Sequence, residues 1–432
     1  MCKLQSYSRV VVILSLQLIG CASYPQKNDY LACDLSPITV DHKLADAKLT
    51  QSQELTFDPI CTGLDYLQFK NIDALVISGG AADGAFGAGF ISELLSQNKM
   101  AVQGDDSLPH PCAITGVSTG ALMSPFVYLA TSLNPAIKEK KYHERLRKLY
   151  PEFDDDNLLS PSSTLLKLRR LLFSKSLFAP DKIKAKLESE LDDSLIKDLV
   201  KEYRSTKRKI YIGTTNVNSG NFEIIDLTRL FEKANPQHED IDEHNKQCAF
   251  AVIRGSTSIP IAFEPVPIKD GLDYKLFVDG GIRYPLFLNY DLIKRLREVN
   301  KDEGSSGKTV RVFTVINHLD QVLKNDPNNP PNDTGEIKLE NYINNFAEIT
   351  RNQLYLDATL TLSQLIKQNN IEGYWVDATS AKSCTNPEIK PLNKYFHKGY
   401  QQCLVNYGEL AANNPNHWLE EPNLLPAIVN NK

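Results

Sequence analysis

The sequence predicts an α/β fold, with a central, mostly parallel sheet carrying helices on both faces. Three observations predict it. Short apolar runs of buried-strand type alternate with helical patterns between residues 74 and 317. Two of these runs pass through glycine-rich turns directly into helices. No stretch of about 18 apolar residues follows the first 20, so no membrane span competes for these segments.

The 432 residues are enough for one large domain or two ordinary ones. A hydrophobic fraction of 42% and a charged fraction of 23% exclude a wholly disordered or collagen-like chain. Lys plus Arg at 48 against Asp plus Glu at 53 gives a net charge of −5. That balance lacks the electrostatic footprint of a nucleic-acid binder, and no nucleic-acid partner is expected.

Residues 1–20 have the layout of an export signal, with Lys3 and Arg9 ahead of an apolar run over 10–19 that only Ser15 and Gln17 interrupt. The run is too short to span a bilayer. It ends Leu18-Ile19-Gly20-Cys21, which resembles the lipobox of bacterial lipoproteins. The resemblance implies cleavage before Cys21 and lipid attachment there. It places the chain in the cell envelope, anchored to membrane, and Ala22 after the cysteine favours the outer membrane. An ordinary secretory signal with an incidental Cys21 is the alternative.

Setting aside Cys2 and Cys21 leaves six cysteines, an even number that suggests disulfides in an oxidising compartment. Cys384 with Cys403 is the simplest pair, and Cys33 with Cys61 could tie down the N-terminal arm; the connectivity stays open. Without a Cys-x-x-Cys spacing no zinc site is expected, and Cys112 reads as buried rather than reactive.

Residues 21–72 are polar and irregular and read as a tether. Order begins with a strand over 74–78, a glycine turn, and a helix over 84–97 whose apolar face is Phe86, Phe90, Ile91, Leu94 and Leu95. A second strand begins at Ala113 and leads through another glycine turn to a helix over 119–133. Helical patterns follow over 137–150 and 182–204, with irregular chain between them. Strand-like runs cover 209–214, 222–227, 262–268, 275–278 and 309–317, with a helix over 291–300. Residues 326–333 are a loop, and a long helix fits 339–367. The implied organisation is a main domain over 73–320 and a mainly helical segment, 321–432, packed on it.

Three turns carry chemistry. Gly116-Val-Ser118-Thr-Gly120 lies between an apolar strand and a helix, the setting of a nucleophile elbow. The helix that starts there turns its positive end toward any developing anion. Ser78-Gly79-Gly80-Ala81-Ala82-Asp83-Gly84 exposes successive backbone amides, as an anion-binding nest does. Neither the phosphate-loop nor the dinucleotide glycine spacing is present there. Val278-Asp279-Gly280-Gly281 puts a carboxylate at the end of a strand.

In this order the three turns resemble the patatin-like phospholipases, and Arg254-Gly-Ser-Thr-Ser-Ile-Pro260 with Phe263-Glu-Pro265 resembles the segment preceding that family's Asp-Gly-Gly. The resemblance runs from about 73 to 288. It implies a patatin-like α/β catalytic domain with a Ser–Asp dyad: Ser118 as nucleophile, Asp279 as base, and the amides of Gly79, Gly80 and Ala81 as oxyanion hole. Neither metal nor cofactor is implied, and membrane lipid is the implied substrate. The loop departs from the family pattern: Ser78 stands where Asp usually leads, Ala81 replaces the third glycine, and Asp83 holds a position that is usually basic. His318, downstream of Asp279, keeps a Ser…Asp…His triad as an alternative. The amphipathic basic run over 165–178 suits a lid or interfacial segment, or a core-packing helix. The expected function is therefore lipid acyl hydrolysis of phospholipase A or lysophospholipase type. The alternative is a non-catalytic lipid-binding or scaffold lipoprotein on a decayed hydrolase fold.

Overall fold

The computed structural model describes residues 25–36, 38–40, 60–61, 71–97, 110–152, 180–235, 241–260, 262–299, 308–318, 339–386, 389 and 396–423. The export signal with Cys21, the 165–178 run and the 326–333 loop lie outside the described residues.

Among the described residues ten strands form one sheet: β1 (Leu31–Cys33), β2 (Ile38–Val40), β3 (Asn71–Ile77), β4 (Ala113–Val117), β5 (Lys209–Asn216), β6 (Phe222–Asp226), β7 (Val266–Asp270), β8 (Asp273–Asp279), β9 (Thr309–Ile316) and β10 (Glu372–Asp377). The order is β1-β7-β8-β5-β4-β3-β9-β10, with β6 bridging β5 and β2. The run β5-β4-β3-β9-β10 is parallel throughout. Antiparallel pairing with β6 and β8 takes over at β5. The predicted mostly parallel α/β sheet is present; on its flank the tight turn at 271–272 makes β7 and β8 antiparallel, and β1 joins β7 in parallel.

Parallel strands buried on both faces read as continuous apolar runs. Along β3, Leu75 and Ile77 enter one core and Ile72, Ala74 and Val76 the other. Helices α1 (Gly84–Ser96), α2 (Thr119–Ala130), α3 (Pro135–Lys138), α4 (Tyr142–Leu149), α5 (Pro180–Glu190), α6 (Asp193–Thr206), α7 (Leu227–Ala234) and α8 (Glu243–Ser256) precede β7. Helices α9 (Tyr290–Val299), α10 (Leu339–Gln368) and α11 (Lys398–Ala412) follow β8. Leu292, Ile293 and Leu296 of α9 join Tyr355, Ala358, Leu362 and Ile366 of α10 in one core, whereas α1, α2 and α11 fill the opposite one. The predicted apolar face of α1 is buried, Leu95 only partly. Close crossing of α1 and α11 requires two glycines. A Cβ on Gly89 would lie 2.2 Å from Val405 O, and one on Gly408 would lie 2.2 Å from Phe86 O.

The structure differs from the sequence expectation in several places. The helix expected over 182–204 is two helices, because Asp192 caps a new one by accepting from Leu195 N at 2.9 Å. Part of the expected tether is integrated: β1 pairs with β7, and Cys33 is bonded to Cys248 rather than to Cys61. Cys61 pairs instead with Cys112, and Cys384 pairs with Cys403 as expected. The C-terminal segment contributes a strand as well as helices, since β10 extends the sheet beside β9.

A buried ion pair fastens β3 to β9. Asp73 faces Arg311 in the strand register, and the guanidinium binds both carboxylate oxygens, at 2.7 and 2.8 Å. Replacing Arg311 by methionine leaves Asp73 without this partner. The expected loss is about 3–5 kcal/mol by urea denaturation at neutral pH, largely recovered when Asp73→Asn is added.

Candidate active site

Strand register brings the three turns together. Val117, the last residue of β4, pairs with Gly213 of β5, and Asp279, the last of β8, pairs with Thr214, the next residue of β5. On the other side of β4, Ile77 of β3 pairs with Gly116, so the glycine loop leaves the sheet beside the elbow.

Ser118 has φ 54° and ψ −120°, a conformation that costs a non-glycine residue energy and is held by its surroundings. Its amide donates to Ser256 Oγ at 2.9 Å, and Ser256 Oγ donates to Gly213 O at 2.7 Å. The flanking glycines are sterically required. A Cβ on Gly116 would lie 2.5 Å from Gly120 O, and one on Gly120 would lie 2.2 Å from Ile77 O. Helix α2 starts at the next residue, so its amino end adjoins the hydroxyl.

Ser118 Oγ donates to Asp279 Oδ2 at 2.6 Å, and both residues are buried. The other carboxylate oxygen, Oδ1, accepts from Gly281 N at 2.7 Å. Burial pushes Asp279 up from 3.8 to about 6, against the lowering effect of the hydrogen bonds from Ser118 and Gly281. The result is a carboxylate of raised basicity on a serine hydroxyl.

The glycine loop borders this pair, since a Cβ on Gly79 would lie 3.1 Å from Ser118 Cβ. The Gly79 amide is committed, donating to Pro285 O at 2.8 Å. This corrects its expected part as an oxyanion donor: the proline carbonyl holds the N–H that an oxyanion would need. Among the described residues the Gly80 and Ala81 amides have no backbone acceptor, and φ is 155° at Gly80 and 51° at Ala81. Successive amides of this kind form an anion nest. Ser78, at the head of the loop, donates to Gly79 O and accepts from Asn317 N, each at 2.8 Å. Asn317 also donates to Ser78 O at 2.9 Å and accepts from Gly87 N at 3.0 Å, stapling the two ends of the loop.

His318 is turned to other partners. Its Nε2 lies 2.7 Å from Asn352 Oδ1, and its ring stacks on Tyr355 at 4.2 Å. The Ser118 hydroxyl goes to Asp279 directly. Cys112 is buried in a disulfide, and Cys21 lies outside the described residues. Motif reading missed Ser256 and Asn317, which support the elbow and the loop; Ser256 lies within the singled-out 254–260 segment, whereas Asn317 carries no local signal.

A pocket of about 150 Å³ opens on Ser118 and Ala81. Leu122, Tyr150, Leu187, Ile253, Phe263 and Phe396 give it apolar walls, with Arg254 and Glu264 also lining it. Such a wall suits an acyl chain more than a polar group. Among the described residues no cluster of three or more His, Cys, Asp or Glu side chains could hold a metal ion, and no helix is long and apolar enough to cross a membrane.

The family model described as patatin-like phospholipase matches residues 75–290, half of the chain. Among solved structures, the crystal structure of VipD from Legionella pneumophila is similar at 13% identity, covering 85% of this chain and 73% of that chain with a TM-score of 0.27. No curated protein matches the chain.

Proposed function

The chain belongs to the patatin-like phospholipase family, and on that premise we propose that it hydrolyses a carboxylic ester of a membrane lipid through an acyl-Ser118 intermediate. The family implies lipid acyl hydrolase activity; phospholipase A or lysophospholipase type is our finer reading. The observation that carries it is the 2.6 Å hydrogen bond from Ser118 Oγ to a buried Asp279 carboxylate. Asp279 accepts the hydroxyl proton as Oγ bonds to the ester carbon. The carbonyl oxygen becomes an oxyanion at the Gly80 and Ala81 amides. Collapse breaks the ester C–O bond, and the proton passes from Asp279 to the leaving alkoxide. Water, deprotonated by the same carboxylate, then releases the fatty acid and restores Ser118.

The cellular setting belongs to the same proposal: an exported chain, lipid-anchored at Cys21 in the cell envelope, at the outer membrane. The lipobox-like run supports it. So do the three disulfides, which join all six cysteines outside the signal and the anchor.

A fluorophosphonate probe tests the chemistry without assuming a head group. The folded wild-type protein is expected to take one label, mapped to Ser118 by peptide mass spectrometry. An unlabelled but folded protein would instead support the lipid-binding or scaffold lipoprotein. Product analysis on diacyl and lysophospholipid vesicles then separates the two phospholipase types.

A further inference from the structure

The glycine loop is held from outside the region matched to the family. Asp83 closes the turn after the nest, its N–H donating to Gly80 O at 2.9 Å, and it stands at the start of α1. A carboxylate there could cap the helix, but Asp83 makes no cap bond. It is 2% exposed. Its Oδ1 accepts from Tyr400 Oη of α11 at 2.5 Å, and its Oδ2 lies 3.5 Å from Arg351 Nη2 of α10. Arg351 also lies 3.2 Å from Glu348 Oε2 on its own helix. A guanidinium placed between two carboxylates is no site for a substrate anion; its charge keeps the buried Asp83 tolerable. Burial, and the Asp83 carboxylate, hold the Tyr400 hydroxyl protonated, so it remains a donor.

The loop has little room to move independently of the elbow. A Cβ on Gly84 would lie 2.7 Å from Thr119, the residue after the proposed nucleophile. A shift of Asp83 would therefore carry residues 80–84 against the elbow.

We infer that Arg351, acting with Tyr400 through Asp83, is a positioning residue that holds the Gly80 and Ala81 amides in their oxyanion-receiving shape. The inference rests on the acyl-transfer reading above. It makes the C-terminal helices part of the catalytic apparatus.

The test compares wild type with Arg351→Gln, Tyr400→Phe and the neutral pair Asp83→Asn/Arg351→Gln, all as full chains. Amide hydrogen exchange over residues 78–84 reports the loop whether or not the protein turns over. Hydrolysis of p-nitrophenyl butyrate reports kcat and KM. Arg351→Gln is expected to raise exchange in 78–84 alone and to lower kcat about 10- to 100-fold, with KM within about twofold. Tyr400→Phe is expected to move both readouts in the same direction, and the neutral pair to recover most of kcat, because the charge at position 83 is removed together with its cation and only the part-exposed Glu348 loses a partner. If Arg351→Gln fails to fold, Tyr400→Phe and the neutral pair decide. Wild-type exchange over 78–84 in the folded single variants would overturn the clamp. Faster exchange with undiminished kcat would overturn its positioning role. Faster exchange in a protein whose wild type shows no Ser118-dependent turnover would leave the clamp standing and overturn the acyl-transfer reading.

Discussion

Ser118→Ala is expected to lower fatty-acid release from phospholipid vesicles by about 10⁴-fold or more while leaving the fold intact. Alanine keeps the Cβ that sits against Gly79, so the packing between elbow and loop is unchanged. The backbone at 118 stays held by the Ser256 hydroxyl, which binds the main-chain amide and not the side chain. Only Oγ is removed, and with it both the attacking atom and the proton that Asp279 would accept. Any residual rate comes from the amide nest and from substrate binding. His318→Ala is the informative partner experiment. The dyad predicts activity within a few-fold of wild type, since His318 addresses Asn352 and Tyr355. A loss as deep as that of Ser118→Ala in a folded His318→Ala protein would restore the triad. Retained release in Ser118→Ala would end the acyl-serine proposal.

Much of the site was legible because each of its parts is local. The strand–turn–helix around Ser118, the amide run after Ser78 and the acid closing β8 each announce themselves within about ten residues. Their convergence was implied only by family resemblance; the register of β5 between β4 and β8 supplies its physical cause. What stayed hidden depends on distant partners. Gly79 loses its expected part to the carbonyl of Pro285, some two hundred residues away in sequence. Asp83, odd in sequence terms, becomes intelligible only beside Arg351 and Tyr400. Cys33 pairs with Cys248 because β1 lies beside β7 and α8 packs against both, and nothing in cysteine spacing encodes that. Strand β10, Glu372–Asp377, was missed because only Trp375 and Val376 of its residues are buried, as at a sheet edge, without the longer buried runs of β3 and β4.

Asp279→Asn is expected to cost about 10³-fold in kcat and yet to make the protein more stable at neutral pH. The two effects share one cause. Burial raises Asp279 from 3.8 to about 6, which makes it a competent base and makes its charge costly to the fold. Because the folded value lies above the unfolded one, the folded state holds the proton more tightly between about pH 4 and pH 6. Stability therefore falls as pH rises through that window, and the full cost is present above about pH 6. The separation between 3.8 and about 6 corresponds to about 3 kcal/mol. Asparagine cannot ionise and escapes that cost. Its amide nitrogen, however, must meet one of the two donors now facing the carboxylate, Ser118 Oγ or Gly281 N, which takes back about 1 kcal/mol. The net expectation is a gain of about 1–2 kcal/mol at pH 7, shrinking toward pH 4. Urea denaturation of both proteins from pH 4 to pH 8 measures it. Wild-type kcat/KM should fall about tenfold per pH unit below about pH 6, as the base becomes protonated. Stability curves that stay parallel across the window, together with a rate profile flat down to pH 5, would mean that Asp279 is not the group that takes the serine proton.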